Sequence, residues 1–263
     1  MSPLAIQQRM KKGEEFCRKA WIDGGRISGA VYMAEDKHWD FVCDIMRQYI
    51  VVNPLHCEEF LPVTQMEAEI IRMVCNLYNG DSSTCGIGTG GGTESILLAM
   101  LAHREYAKNE RNVVYPNIVV SETAHVAFEK AGFYFGIEVR KVPVNADLSA
   151  DVAGMKKQID SNTVCLVASA CEYPFGNIDP VPEIAALALR YGIGCHVDAC
   201  LGGFINPFAE EAGFPLPCVV DFRNPGVTSI SVDTHKYAYG PKGYSVCMFK
   251  NAELRNSQFY SAM

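Results

Sequence analysis

Short runs of β-branched and aliphatic residues stand at 117–121, 138–144, 163–170, 193–197, 228–232 and 245–249, and stretches of helical composition at 125–136, 151–160 and 182–191 separate the first four. A strand that hands over to a helix of this length and then to another strand returns to the same sheet by a right-handed crossover. The spacing therefore predicts an α/β chain with a mainly parallel sheet covered by helices on both faces. Ligands of such sheets lie beyond the carboxyl ends of the strands, so chemistry is expected in the loops there.

Upstream, Met66, Ile70, Ile71, Val74, Leu77 and Tyr78 recur at helical spacing and Asn79-Gly80 supplies a stop, which predicts an amphipathic helix over 66–78. A second helix is expected over 94–108. The segment to about Leu61 carries turn chemistry in Gly24-Gly25-Arg26-Ile27-Ser28-Gly29 and Asn53-Pro54-Leu55-His56, and reads as an irregular arm with a short helix over 39–49. With 263 residues, 49% hydrophobic and 20% charged, the chain can bury a core. A net charge of -7 argues against a general nucleic-acid surface, which needs clustered Lys and Arg. Eleven cysteines without CxxC pairs read as mostly reduced and buried, in a cytosolic-type compartment. No stretch reaches the roughly 18 uninterrupted apolar residues of a membrane span, and the chain reads as soluble.

Three segments carry candidate chemistry. Cys85-Gly86-Ile87-Gly88-Thr89-Gly90-Gly91-Gly92-Thr93-Glu94 opens the helix expected from Glu94. Free backbone N–H groups at a helix N-terminus, with no side chains in the way, favour a phosphate. Gly86, Gly88 and Gly91 satisfy G-x-G-x-x-G, but the dinucleotide fingerprint needs a strand directly before it and 79–84 is a polar turn; a Walker A loop lacks its lysine. In His196-Val197-Asp198-Ala199-Cys200 an apolar strand ends in an aspartate followed by small residues. A carboxylate there can pair with a protonated ring nitrogen, while the i, i+2, i+4 alternation of His196, Asp198 and Cys200 leaves a metal as a rival that lacks a fourth ligand. In Asp233-Thr234-His235-Lys236-Tyr237 a lysine follows directly on a strand. Each has a bland reading by itself: a turn, a structural carboxylate, a surface charge. Together with His125, in that order along the chain, they are what pyridoxal phosphate (PLP) needs: a phosphate cradle, a group to stack on the ring, a partner for the ring nitrogen and an imine-forming amine.

These residues resemble the group II PLP-dependent decarboxylases and, within them, the sphingosine-1-phosphate lyases. The matching stretches include Ser28-Gly29-Ala30-Val31-Tyr32, Asn53-Pro54-Leu55-His56, Gly91-Gly92-Thr93-Glu94-Ser95, His196-Val197-Asp198-Ala199-Cys200-Leu201-Gly202-Gly203 and Asp233-Thr234-His235-Lys236-Tyr237. The resemblance implies a large domain of the aspartate-aminotransferase type, with 1–61 as an N-terminal arm and substrate-site segment and 62–263 as the PLP-binding domain. The family's C-terminal small domain would then be absent, which leaves a fragment, a truncated gene model or a short isoform as the reading of the chain. The catalytic residues implied are Lys236 as the imine-forming lysine, Asp198 at the ring nitrogen and His125 on the ring, with Gly91, Gly92, Thr93 and His235 around the cofactor phosphate. Tyr32, Asn53, His56 and Lys242 match positions at the substrate end. The reaction implied is cleavage of a phosphorylated long-chain base to a fatty aldehyde and phosphoethanolamine, in a homodimer with shared sites and without a metal. The implied location is cytosolic-facing, at the endoplasmic reticulum as in eukaryotic members. An amino-acid decarboxylase and a catalytically inactive PLP-binding fragment remain alternatives. Gly90 stands where the family usually has Ser, and Tyr237-Ala238-Tyr239-Gly240 replaces its usual small residues.

Overall fold

The computed structural model of the chain describes residues 2–21, 29, 31–53 and 55–260. They fall into two compact units, Met1–Ala34 and Glu35–Met263. In the first, helix α1 (Pro3–Trp21) occupies sequence read above as irregular. Its Gln, Arg, Met, Lys and Glu residues are good helix formers even without a strong apolar stripe, which is why periodicity did not reveal it.

The second unit opens with α2 (Asp36–Tyr49), three residues earlier than the sequence suggests, with Asp36 in the first turn where a carboxylate favours the helix dipole. Helix α3 (Leu61–Leu77) also starts early, because Pro62 sits at a first-turn position that needs no N–H donor. The rest runs β1 (Cys85–Thr89), α4 (Gly92–Arg111), β2 (Asn117–Ser121), α5 (Ala127–Phe135), β3 (Glu138–Val142), α6 (Val152–Gln158), β4 (Thr163–Ser169), α7 (Val181–Tyr191), β5 (Gly194–Asp198), β6 (Ser229–Val232), β7 (Ser245–Phe249) and α8 (Ala252–Asn256).

The strands form a 7-stranded sheet in the order β1-β7-β6-β5-β4-β2-β3. Strands β3, β2, β4, β5 and β6 run parallel, and β7 and β1 close the edge in antiparallel pairs. Every residue of β2, β4 and β5 is buried, the continuous burial that helices on both faces of a parallel sheet impose. Alternate side chains feed two cores. Val119, Leu166, Val197 and Ile230 join Tyr78 and Ile184 on one face, while Ile118, Val120, Val167 and Phe249 join Ile96, Met100 and Phe128 on the other. Each such fully buried side chain contributes about 1.5–3 kcal/mol.

One element departs from the sequence reading in a way that matters for the site. Residues 85–89, read as the start of a glycine loop, form the edge strand β1. A Cβ on Gly86 would stand 2.9 Å from the Cys247 carbonyl oxygen, and one on Gly88 would stand 2.6 Å from Glu67 Oε1. These two glycines serve close packing. The glycine turn before the helix is confined to Gly90-Gly91-Gly92, and α4 begins at Gly92 instead of Glu94.

Candidate active site

The carboxyl ends of the parallel strands and the N-terminus of α4 surround a cavity of about 530 Å³. Gly91, Gly92 and Thr93 line it from α4, His125 from the turn after β2, Asp198 from the end of β5, and His235 and Lys236 from the segment after β6. Seven residues that lie up to 145 positions apart in sequence (91 to 236) thus share one space.

At the α4 end the chain reaches Gly92 through Gly91, whose φ of 152° only glycine adopts readily. A Cβ at Gly92 would lie 2.8 Å from both carboxylate oxygens of Asp233 and 2.9 Å from Cys200 Sγ, so the backbone is pressed against the floor of the cavity. The first-turn N–H groups of α4 have no acceptor within the helix and are directed outward at its positive end.

Lys236 is held against the same Asp233 carboxylate. Its Nζ lies 2.8 Å from Asp233 Oδ2, with Asp233 itself 2% exposed. Burial lowers the lysine pKa, but the carboxylates of Asp233 and Asp198 outweigh it and hold the ammonium above its ordinary value. His235 Nδ1 donates to the Tyr244 carbonyl at 3.0 Å, which leaves Nε2 on the Asp233 side at 3.7 Å. The His235 carbonyl in turn accepts from Lys242 Nζ at 2.8 Å, and the Tyr239 carbonyl lies 2.8 Å from His38 Nε2 on α2. The segment that carries the lysine is therefore tied on both sides. Burial and the neighbouring Lys236 ammonium pull the Lys242 pKa down.

His125 precedes α5 and does not belong to it, contrary to the helix boundary read from sequence. Its Nδ1 accepts from the Ala127 N–H at 3.1 Å, and its ring meets Tyr173 edge-on at 5.6 Å between centroids. The ring plane is thereby fixed beside the cavity. Asp198, 7% exposed, accepts the Cys200 N–H on Oδ1 at 3.0 Å. Burial, then the Asp198 and Asp233 carboxylates, push the Cys200 thiol well above its ordinary pKa, so it stays protonated. The rival metal reading of this strand does not describe it: His196 is fully buried, with Nδ1 2.8 Å from Ser229 Oγ and Nε2 3.2 Å from Ser231 Oγ.

Three sequence-predicted residues of this unit do not line the cavity. Asn53 and His56 are exposed, and Asn53 Oδ1 caps its own loop by accepting the Leu55 N–H at 3.1 Å. Lys242 is exposed. Tyr32 belongs to the first unit, where its hydroxyl donates to the Gly29 carbonyl at 2.9 Å. Conversely, sequence reasoning gave Asp233 no role, although it holds Lys236. The signal available was a carboxylate at the end of an apolar strand, three residues before the lysine.

The constellation suits PLP. Free N–H groups at the α4 N-terminus can answer a phosphate, Asp198 Oδ2 accepts no hydrogen bond among the described residues and can meet a ring nitrogen, and Lys236 and Lys130 are the lysines that line the cavity among the described residues.

Comparison with known proteins agrees. The chain is 49% identical over 260 residues to sphingosine-1-phosphate lyase 1 of Rattus norvegicus, covering 99% of this chain and 45% of that protein. The structure of a Burkholderia pseudomallei sphingosine-1-phosphate lyase superposes with a TM-score of 0.94 at 37% identity, over 99% of this chain and 61% of that one. A Lactobacillus brevis glutamate decarboxylase shares the fold, with a TM-score of 0.76 at 24% identity over 93% of this chain and 58% of that one. The chain spans about half the length of the curated relatives it matches. The pyridoxal-dependent decarboxylase conserved domain matches residues 29–261, and the chain belongs to that family, whose cofactor is pyridoxal phosphate.

Proposed function

We propose that this chain is the cofactor-binding part of a PLP-dependent carbon–carbon lyase that cleaves phosphorylated sphingoid bases to a fatty aldehyde and phosphoethanolamine. The observation that carries the reading is the convergence of Lys236, Asp198 and the α4 N-terminus on one cavity. Its support for the lyase over other members of the family is the 49% and 43% identity to the sphingosine-1-phosphate lyases of Rattus norvegicus and Saccharomyces cerevisiae.

When bound, the cofactor supplies an electron sink for breaking a bond beside the substrate amine. Lys236 would hold it covalently through Nζ. Asp198 keeps its ring nitrogen protonated through a charge-assisted hydrogen bond. His125 covers one face of the ring and restricts its tilt. Gly91, Gly92 and Thr93 bind its phosphate through backbone N–H groups and the Thr93 hydroxyl. His235 joins them at the phosphate end, its Nδ1 anchored on the Tyr244 carbonyl. Asp233 orients the Lys236 side chain through their ion pair at 2.8 Å.

In the same reading Tyr32, His56 and Lys242 meet the substrate phosphate and Asn53 shapes the substrate end. Residues 1–61 act as the arm that carries these groups and residues 62–263 as the PLP-binding domain. Two copies pair so that each completes the other's site, which gives exposed Asn53 and His56 a place to act. The enzyme works facing the cytosol, at the endoplasmic reticulum membrane; among the described residues no helix is long and apolar enough to cross a membrane.

Product analysis tests the assignment. The reconstituted protein is offered phosphorylated sphinganine, glutamate and an aromatic amino acid. Aldehyde and phosphoethanolamine from the first alone support the lyase, whereas carbon dioxide from an amino acid would reassign the site to decarboxylation.

A further inference from the structure

Beneath Asp198 lies a line of buried polar groups that none of the roles above uses. It begins on α4 with His103, 3% exposed, passes through Ser229, His196 and Ser231, each fully buried, and ends at Asp198. The parallel register of β5 on β6 builds it, because His196 pairs with Ser229 and Asp198 with Ser231. The contacts are His103 Nε2 to Ser229 Oγ at 3.0 Å, Ser229 Oγ to His196 Nδ1 at 2.8 Å, His196 Nε2 to Ser231 Oγ at 3.2 Å and Ser231 Oγ to Asp198 Oδ1 at 3.5 Å.

The direction of every proton in this line follows from its first member. The Thr228 hydroxyl spends its proton on the Cys195 carbonyl at 3.0 Å, so towards His103 Nε2, 3.4 Å away, it can only accept. His103 therefore carries its proton on Nε2 and donates it towards Thr228 and Ser229. Ser229 then gives its own proton to His196 Nδ1, which places the His196 proton on Nε2, facing Ser231. Ser231 already receives the Cys200 thiol proton at 3.3 Å, so its hydroxyl proton is left for Asp198. Burial, joined by Arg111 for His103 and by His103 for His196, lowers the two pKa values to about 4 and about 3, so both rings are neutral and each has one donor and one acceptor.

We propose that His103, Ser229, His196 and Ser231 form a one-way hydrogen-bond relay that fixes the Asp198 carboxylate, occupying Oδ1 so that Oδ2 faces the ring nitrogen of the cofactor. Ser231 and His196 are positioning residues, acting on the cofactor only through Asp198. The inference rests on the reading of function above. Oδ1 receives two donors, the Ser231 hydroxyl and the Cys200 N–H, which together set the plane of the carboxyl group.

The test has two arms on the full chain. In the first, nitrogen-15 spectra of the histidines without cofactor should give His103 and His196 as neutral Nε2–H tautomers; a proton on His196 Nδ1 reverses the line and overturns the proposal. In the second, PLP labelled with nitrogen-15 in its ring is added to wild type, Ser231→Ala and Ser231→Thr. The alanine variant should hold the ring proton about tenfold less tightly, the loss expected of one hydrogen bond to a charged group. Threonine, which keeps the hydroxyl, should restore it. An unchanged ring-nitrogen signal in Ser231→Ala overturns the relay. Failure of wild type itself to take up PLP would instead overturn the proposed function, and with it the purpose of the relay.

Discussion

Lys236 Nζ lies 2.8 Å from Asp233 Oδ2, three residues earlier and almost fully buried, so the candidate nucleophile is held as an ammonium ion against a buried carboxylate. Burial opposes the charge, the Asp233 and Asp198 carboxylates favour it, and the balance raises the lysine pKa. Only the free amine attacks an aldehyde. Capture of PLP should therefore quicken as pH rises, with a midpoint above the ordinary lysine value. Asp233→Asn removes the larger of the two carboxylate effects and should move that profile to lower pH. Stopped-flow absorption of the lysine-linked cofactor measures both, and identical profiles would remove Asp233 from the chemistry.

Gly92→Ala tests the cradle. The added Cβ would meet the Asp233 carboxylate at 2.8 Å and Cys200 Sγ at 2.9 Å, and Asp233 cannot withdraw without releasing Lys236. Affinity for PLP should fall at least tenfold, about 1.4 kcal/mol, while the far-ultraviolet circular dichroism stays as in wild type. Titration with cofactor reads the loss, and wild-type affinity would show that the loop does not hold the phosphate.

Asp198→Asn keeps the size of the side chain and removes its charge. Turnover should drop by orders of magnitude, each tenfold step worth about 1.4 kcal/mol of transition-state stabilisation, with folding nearly intact. An unaltered kcat would leave Asp198 only its structural bond to the Cys200 N–H.

The parallel strands were the legible part of the fold. Because they are buried on both faces, they stand out as apolar runs, and 117–121 and 245–249 match β2 and β7 to the residue. Strand β1 did not stand out: Cys85-Gly86-Ile87-Gly88-Thr89 has too few side chains to show alternation, and its pairing with β7 lies far away in sequence. The glycine turn, Asp198 and Lys236 could be singled out because each sits at an element boundary with unusual chemistry. The pairing of Asp233 with Lys236 and of His196 with two serines could not, since both depend on how a turn folds and on the register between neighbouring strands. Asn53 and His56 were suggested by resemblance alone, and within this one chain they lie on the surface.

The buried imidazoles give the fold a pH dependence with a definite sign. His103 and His196 stay neutral in the folded chain down to about 4 and about 3, whereas in the unfolded chain they take up protons near the ordinary 6.5. Their contribution is fully present above pH 6.5 and is lost as pH falls towards those values, at about 1.4 kcal/mol per unit for each ring. Burial pushes Asp179 up to about 6, which acts in the opposite sense between 6 and the ordinary 3.8 and cancels about one of the two rings there. Net stability should therefore decline between pH 6 and pH 4. In denaturant titrations His103→Gln should flatten the slope by about one proton. A slope that does not change in the variant would mean that His103 titrates in the folded state.

The most direct measurement is to add PLP to the purified chain, reduce with borohydride and map the labelled peptide. The modification should fall on Lys236, and in Lys236→Ala both the label and the absorption of the linked cofactor should vanish while a weaker, phosphate-dependent association persists. Label on Lys130, Lys242 or any other lysine, with Lys236 unmodified, would contradict the assignment of this cavity as the cofactor site.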